Sequence, residues 1–197
     1  MALDEAIPGL VLDLRYSTGE NFVGQVIDGY QDAQAILSAP AAAALARVQA
    51  SLVPFGLGLL LFDAYRPRRA VDHFVRWGKD LGDRSTKQAY YPNVPKENLF
   101  SDGYIADRSS HSRGSTVDVT IVSRNSDGSV ETLDMGSGFD FFDPVSWPDS
   151  PAVTGQQRAN RVLLQIVMEA HDFVSYPKEW WHFTLKDEPF PDTYFDF

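Results

Sequence analysis

Two short motifs, about sixty residues apart, constrain this chain more than any other feature of its sequence. The first contains His111 and Asp118, and the second is Glu179-Trp180-Trp181-His182. A catalytic zinc site needs three nitrogen or oxygen ligands, an open position for water and a base that takes a proton from that water. We therefore expect a fold in which His111, Asp118 and His182 together hold one Zn²⁺ per chain. Glu179 is the candidate base.

The spacing of these residues leaves an alternative open. A histidine and an aspartate at this separation occur often by chance, so His111 and His182 could be ordinary core or surface residues. The chain has only four histidines, however, and two of them fall in these motifs. The other two, His73 and His171, lie in predicted helices and are expected to be structural.

Composition excludes several classes of protein. The chain has 197 residues, enough to bury a sizeable core, and we expect residues 1–197 to form a single domain. The formal net charge of −10 argues against a nucleic-acid partner, because phosphates repel an acidic surface. The absence of cysteine excludes disulfides and thiolate metal sites.

The amino-terminal sequence bears on location. Asp4 and Glu5 stand where a signal peptide has basic residues, and no apolar segment approaches the roughly 18 residues of a membrane span. We therefore expect a cytoplasmic protein without a membrane span, or a periplasmic one if a signal segment has been removed. The sequence leaves the oligomeric state open.

Hydrophobic periodicity predicts the main helices and one buried strand. A helix begins after Ser38 and ends before Pro54, residues 57–62 form a buried strand, and residues 68–81 form a second helix. The longest helix covers roughly residues 155–172 and begins after Thr154 as its cap. Its predicted buried stripe consists of Val162, Leu163, Ile166, Val167 and Ala170.

The residues around Asp118 alternate between apolar and polar and predict a half-buried strand. His111 lies seven residues before Asp118, an odd number that would place it on the opposite face of a continuous strand. Gly114 permits a turn between them. The two candidate ligands should therefore come from a loop and from the strand that follows it.

A second strand is predicted over residues 180–185 and carries His182. Glu179 is out of phase with His182, so it should come from the turn before this strand. Residues 125–129 have the composition of a hairpin turn, with residues 130–133 as the returning strand.

Three further residues have two interpretations each, and one long segment has three. Arg66 lies where the strand 57–62 leads into a helix, and could be functional or part of a structural salt bridge. Tyr16 could belong to a site or be an interior tyrosine with a bonded hydroxyl. Asp140 could bind a substrate ammonium or stabilise a turn. Residues 82–108 look irregular, as expected of a lid, a binding loop or an insertion.

Several segments resemble, in order along most of the chain, the D-alanyl-D-alanine dipeptidases, which are zinc peptidases of vancomycin-resistance systems and their housekeeping relatives. The pattern Ser-x-His-x2-Gly-x3-Asp followed by Glu-Trp-Trp-His is similar to the motifs of this family. The other matching segments are Asp13-Leu14-Arg15-Tyr16 with Asn21-Phe22, Asp63-Ala64-Tyr65-Arg66-Pro67, Met135-Gly136 with Phe139-Asp140, and Tyr176-Pro177-Lys178-Glu179.

The resemblance implies an α+β fold whose central antiparallel sheet holds one zinc ion between the three candidate ligands. It implies that Glu179 is the catalytic base and that Arg66 stabilises the transition state. Asp140, Tyr16 and Ser109 are expected to line the substrate site. The implied substrate is a small D,D-dipeptide, hydrolysed to two D-alanines.

Two alternatives to this function remain. A peptidase of the same fold could act on longer cell-wall peptides as a carboxypeptidase or endopeptidase. A zinc-stabilised binding module could have lost catalysis, although Glu179 disfavours this because a structural zinc site needs no base. The sequence departs from the family pattern at Thr116, where alanine is usual, and at Asp172, where a helix-ending glycine is common.

Overall fold

The computed structural model describes residues 1–31, 34–125 and 127–197, and its centre is a mixed six-stranded sheet. The strand order is β1-β2-β3-β6-β5, and β4 pairs with β3 beside this path. The pairs are antiparallel except β1 with β2, which is parallel. The strands are β1 (Val11–Leu12), β2 (Leu57–Asp63), β3 (Thr116–Arg124), β4 (Val130–Thr132), β5 (Phe173–Tyr176) and β6 (Glu179–Leu185).

Helices flank this sheet, so the predicted α+β class is confirmed. Ser38 accepts a hydrogen bond from the amide of Ala41, and Thr154 forms a reciprocal capping box with Gln157, as expected of residues that begin helices. No helix in the described ranges is both long and apolar enough to cross a bilayer. The helices are α1 (Leu3–Ala6), α2 (Ala39–Leu52), α3 (Arg68–Lys79), α4 (Lys87–Tyr90) and α5 (Gly155–Glu169).

Apolar residues of the described chain form two buried clusters. The larger cluster joins the sheet to α2 and α5, and includes Leu45, Val119 and Trp181. The smaller cluster is mainly aromatic and includes Phe22 and Phe74. The candidate site lies where the sheet meets this aromatic cluster, since the cavity described below is lined by members of both regions.

The segment 82–108 is largely irregular, as predicted, although it contains α4 and one short 3-10 turn. Lys96 within this turn is buried, and its ammonium donates hydrogen bonds to the carbonyls of Asp80 and Asp83 at 2.9 and 2.7 Å. The same ammonium lies 3.7 Å from the centre of the Trp77 ring. A buried lysine with these partners holds an irregular segment in place without regular secondary structure.

The hairpin between β3 and β4 forms as predicted in the residues that the structure describes. The amide of Asn125 donates to the carbonyl of Ser129 at 2.9 Å, and Gly128 has a φ of +85°. Ser126, which the prediction included in this turn, lies outside the described residues. Asp172 has a φ of +69°, a left-handed conformation at a helix end that aspartate tolerates better than most residues.

The predicted buried stripe of α5 is wrong for most of its residues. Val162, Leu163 and Ile166 are 44%, 38% and 60% exposed, Ala170 is also exposed, and only Val167 is half-buried. The buried residues of this helix are instead Asn160, Arg161, Leu164 and Met168.

Hydrogen bonds of Arg161 explain this rotation of the helix. Its guanidinium donates to the carbonyl of Met135 at 2.6 Å and to that of Trp147 at 2.7 Å. Burial lowers the pKa of Arg161 to about 10. The helix therefore turns a cation toward carbonyls of a preceding loop and leaves part of its apolar surface exposed.

This orientation of α5 predicts unequal effects on stability. Leu164→Ala should lower the free energy of unfolding by about 2–5 kcal/mol, because it leaves a cavity in the core. Ile166→Ser should change it by less than about 0.5 kcal/mol, because that side chain is exposed. Urea denaturation of both variants measures the difference. A larger loss for Ile166→Ser would contradict the observed orientation.

Candidate active site

His111 comes from a short helical turn that leads into β3, as the sequence predicted. The turn covers Ser110–Arg113 and ends at Gly114, whose φ of +77° lies in the left-handed region that favours glycine. The buried ring of His111 has its Nδ1 2.7 Å from the carbonyl oxygen of Ala64. This contact requires a proton on Nδ1, so Nε2 of the neutral ring presents a lone pair.

Asp118 and His182 occupy paired positions on the neighbouring strands β3 and β6. Directly opposite residues point to the same face of a sheet, so the two side chains lie side by side. Asp118 Oδ1 is 3.1 Å from His182 Nδ1. The other ring nitrogen of His182, Nε2, is 3.3 Å from the hydroxyl of Ser110.

Three potential ligand atoms converge at this point: His111 Nε2, His182 Nδ1 and Asp118 Oδ1. Their mutual distances are 3.3, 3.3 and 3.1 Å. Atoms that are each ~2.0–2.2 Å from a tetrahedral zinc ion lie about 3.3–3.6 Å from one another, close to the distances between these three atoms. Asp118 Oδ1 is buried and accepts no well-aligned hydrogen bond from the described residues. The three atoms therefore fit a divalent cation.

The electrostatic surroundings keep Asp118 ionised. Burial alone would raise its pKa, but His111 and His182 together bring the pKa below its ordinary value. An ionised carboxylate is the form that binds a metal.

Glu179 lies beside this group but is not one of the three converging residues. Its carboxylate oxygen is 3.6 Å from His182 Nδ1. The strand β6 begins at Glu179, one residue earlier than predicted, and the pairing register shifts between Ser175 and Tyr176 opposite it. This irregularity interrupts the strand alternation, which explains how Glu179 and His182 line the same cavity.

Burial is the main reason why the pKa of Glu179 lies well above its ordinary value, and the carboxylates of Asp118 and Asp140 add to the increase. A cation held by the three neighbouring donors would oppose this increase. A carboxyl group with a raised pKa beside a metal site has the properties of a general base that works near neutral pH.

Arg66 forms the salt bridge that one interpretation of its sequence position predicted, and it also lines the cavity, where its functional role stays a prediction. Two of its guanidinium nitrogens lie 2.9 Å from the same oxygen of Asp63. A third contact places the guanidinium 3.5 Å from Asp118 Oδ2. The hydroxyl of Tyr30 donates to the second oxygen of Asp63 at 2.6 Å. Arg66 is therefore fixed in orientation by a buried network.

Tyr30 and Asp63 were not predicted as site residues. The position of Asp63 at the end of an apolar strand was a signal, because a charged group there needs a partner. Nothing local in the sequence indicates Tyr30, whose contact with Asp63 spans 33 residues.

Tyr16 and Asp140 meet within the cavity. The tyrosine hydroxyl donates to Asp140 Oδ2 at 2.9 Å, and both residues are buried. Asp140 has a φ of +57°, a conformation that is strained for most residues other than glycine and is often found at functional sites. Burial, followed by the carboxylate of Asp118, raises its pKa well above the ordinary value.

Ser109 also lies in the cavity, where its hydroxyl accepts a hydrogen bond from Arg66 Nη1 at 3.4 Å. The structure thus brings all the predicted site residues to one cavity of about 430 Å³. Its lining includes Tyr16, Arg66, Ser109, His111, Asp118, Asp140, Glu179 and His182.

An α+β fold that presents two imidazoles and a carboxylate on one sheet face, with a further carboxyl group close by, has the form of a metallopeptidase. The sequence matches, over residues 1–197, the M15 peptidase family described as D-ala-D-ala dipeptidase. The chain therefore belongs to this family.

Named relatives agree with this assignment. The chain is 45% identical to a D-alanyl-D-alanine dipeptidase of Streptomyces coelicolor and 44% identical to one of Enterococcus faecalis. Both alignments cover 99% of this chain and 95% of the relative. A D-alanyl-D-alanine dipeptidase of Escherichia coli is 33% identical over 90% of this chain and 80% of the relative.

The convergence of the three donors predicts the effect of removing each one. His111→Ala, Asp118→Ala and His182→Ala should each lose the roughly one zinc ion per chain expected of the intact protein. His171→Ala is the matched control, because that ring contacts Ser51 and should leave metal content unchanged. Elemental analysis after dialysis measures the bound zinc. Full zinc in all three variants would contradict this ligand set.

Proposed function

We propose that this protein is a zinc-dependent dipeptidase that hydrolyses D-Ala-D-Ala to two molecules of D-alanine. The observation that carries the proposal is the convergence of His111, Asp118 and His182 beside a carboxyl group, Glu179, that is not part of the converging group. The family and the names of the relatives support the substrate.

In this proposal, two imidazole nitrogens and one carboxylate oxygen hold the cation. A set of nitrogen and oxygen donors without thiolate suits zinc, and zinc peptidases commonly use such ligands. When bound, zinc supplies Lewis-acid chemistry, which polarises the substrate carbonyl and lowers the pKa of water. Ala64 and Ser110 orient the two rings through the nitrogens that face away from the cation.

Glu179 acts as the general base and then as the general acid. It takes a proton from the attacking water, whose oxygen forms a bond to the peptide carbonyl carbon. When the carbon–nitrogen bond breaks, Glu179 gives this proton to the leaving amine. Water is consumed, two amino acids are released, and Glu179 returns to its starting state.

Arg66 stabilises the negative charge that develops on the carbonyl oxygen. A fixed donor aimed at such a charge is often worth about 3–4 kcal/mol of transition-state stabilisation. The buried network of Asp63 and Tyr30 keeps the guanidinium in one orientation before the substrate binds. The fixed orientation avoids a cost of reorganisation during the reaction.

Asp140 and Tyr16 bind the free amino group of the dipeptide. A buried carboxyl group with a raised pKa is stabilised in its ionised form when an ammonium approaches it. A substrate with a blocked amino group would bury Asp140 without this partner. Leaving this charge buried without a partner would weaken the binding of the blocked substrate by several kcal/mol. The site therefore favours dipeptides with a free amino group.

Comparison of free and blocked substrates tests the proposed function. The protein should cleave D-Ala-D-Ala at least roughly 100-fold more efficiently than N-acetyl-D-Ala-D-Ala, measured as kcat/KM from released D-alanine. Asp140→Asn should reduce cleavage of the free dipeptide more than that of the acetylated one. Equal cleavage of both by the wild type would favour a carboxypeptidase. No cleavage of either by zinc-loaded protein would favour a binding module.

A further inference from the structure

Part of the segment 82–108 forms one wall of the cavity. Gly103, Tyr104 and Ile105 line it directly. The base of this wall is Leu99, which is fully buried and whose carbonyl accepts hydrogen bonds from the amides of Tyr104 and Ile105 at 3.0 Å each. The wall is therefore anchored in the aromatic cluster at one end.

One aromatic contact joins this wall to the segment that carries Asp140. The ring of Tyr104 stacks on the ring of Phe142, with ring centres 5.3 Å apart. Phe142 follows Asp140 by two residues. Residues 103–105 thus line the same cavity as Asp140 and pack against its neighbour Phe142.

Two side chains from another part of the chain hold the outer edge of this wall. The hydroxyl of Tyr176 donates to the carbonyl of Gly103 at 3.3 Å, and the ammonium of Lys178 donates to the carbonyl of Asp102. Gly103 has a φ of +80°, and a Cβ atom there would lie 3.3 Å from the Lys178 nitrogen and 3.4 Å from the Tyr176 oxygen. Glycine therefore permits both the turn and the close approach of the donors.

These two donors lie at the turn that leads into β6. Tyr176 is the last residue of β5, Glu179 is the first residue of β6, and Lys178 lies between them. The ring of Tyr176 is 5.5 Å from the ring of His182. One turn thus holds both the wall at the mouth of the cavity and the candidate base inside it.

We propose that Tyr176 and Lys178 act as a latch that determines which substrate lengths the enzyme accepts. This inference rests on the proposed dipeptidase function. While the carbonyls of Asp102 and Gly103 are held, the wall formed by residues 103–105 leaves no room for an acyl group beyond the amino end of the dipeptide. When the donors are removed, the wall moves outward and a blocked or longer substrate enters. The two residues are positioning residues, since they act through the wall.

Hydrogen exchange tests the latch without reference to activity. The amides of Gly103, Tyr104 and Ile105 are hydrogen-bonded and therefore protected. Tyr176→Phe and Lys178→Met should each increase their exchange rates roughly fivefold, with a larger increase in the double variant. Lys186→Met is the matched control, because this lysine is exposed and should leave these rates unchanged. Unchanged exchange in the double variant would overturn the latch.

Substrate selection provides the second test. The ratio of kcat/KM for D-Ala-D-Ala to that for N-acetyl-D-Ala-D-Ala should fall roughly tenfold in the double variant and stay constant in Lys186→Met. A merely structural role would lower both values together and leave the ratio unchanged, which would overturn the specificity role. If the wild type cleaves neither substrate, the dipeptidase proposal fails, while hydrogen exchange still decides whether the latch exists.

Discussion

The pairing of β3 with β6 is the constraint on which the candidate site depends. This pairing sets Asp118 opposite His182, and the next pair, Val117 with Phe183, is buried in the core. A slip of one residue would turn these apolar side chains away from the core and separate the two candidate ligands. The hydrophobic effect that fixes the strand register therefore also fixes the geometry of the candidate metal ligands Asp118 and His182.

Negative charge is concentrated around this pairing. The carboxyl groups of Asp63, Asp118, Asp140 and Glu179 lie around the guanidinium of Arg66. The pKa of three of these carboxyl groups is raised, chiefly by burial, whereas at Asp118 the two histidines outweigh the effect of burial and bring the pKa below its ordinary value. A divalent cation bound by His111, Asp118 and His182 would place positive charge beside Asp118 and Glu179. A substrate ammonium would place positive charge beside Asp140. In the proposed mechanism, the ionised forms of these buried carboxyl groups are stabilised by the metal ion and by the substrate itself.

Local patterns in the sequence predicted the elements that carry the site. The strands β2, β3 and β6 and the helices α2 and α3 follow from periodicity and capping, because these depend on neighbouring residues. The candidate ligands could be identified because they lie in short motifs. The left-handed turn at Gly114 followed from an odd spacing between His111 and Asp118.

The features of the fold and of the site that the sequence did not predict depend on contacts between residues that are distant along the chain. The face of α5 depends on Arg161, which reaches a carbonyl 26 residues away. The contact of Tyr30 with Asp63, and that of Lys178 with Asp102, likewise join segments that are distant in sequence. The position of Glu179 depends on a register shift in the pairing of β5 with β6. The residue pattern of one strand alone does not reveal such a shift.

In the proposed mechanism, His111, Asp118 and His182 hold the cation while Glu179 moves the proton. The most direct measurement is the turnover of D-Ala-D-Ala by Glu179→Gln, with zinc content determined on the same sample. We expect full zinc content and a loss of kcat of roughly 10²–10⁴-fold, because glutamine cannot accept the proton. A variant that retains zinc and a rate close to that of the wild type would show that Glu179 is not the base.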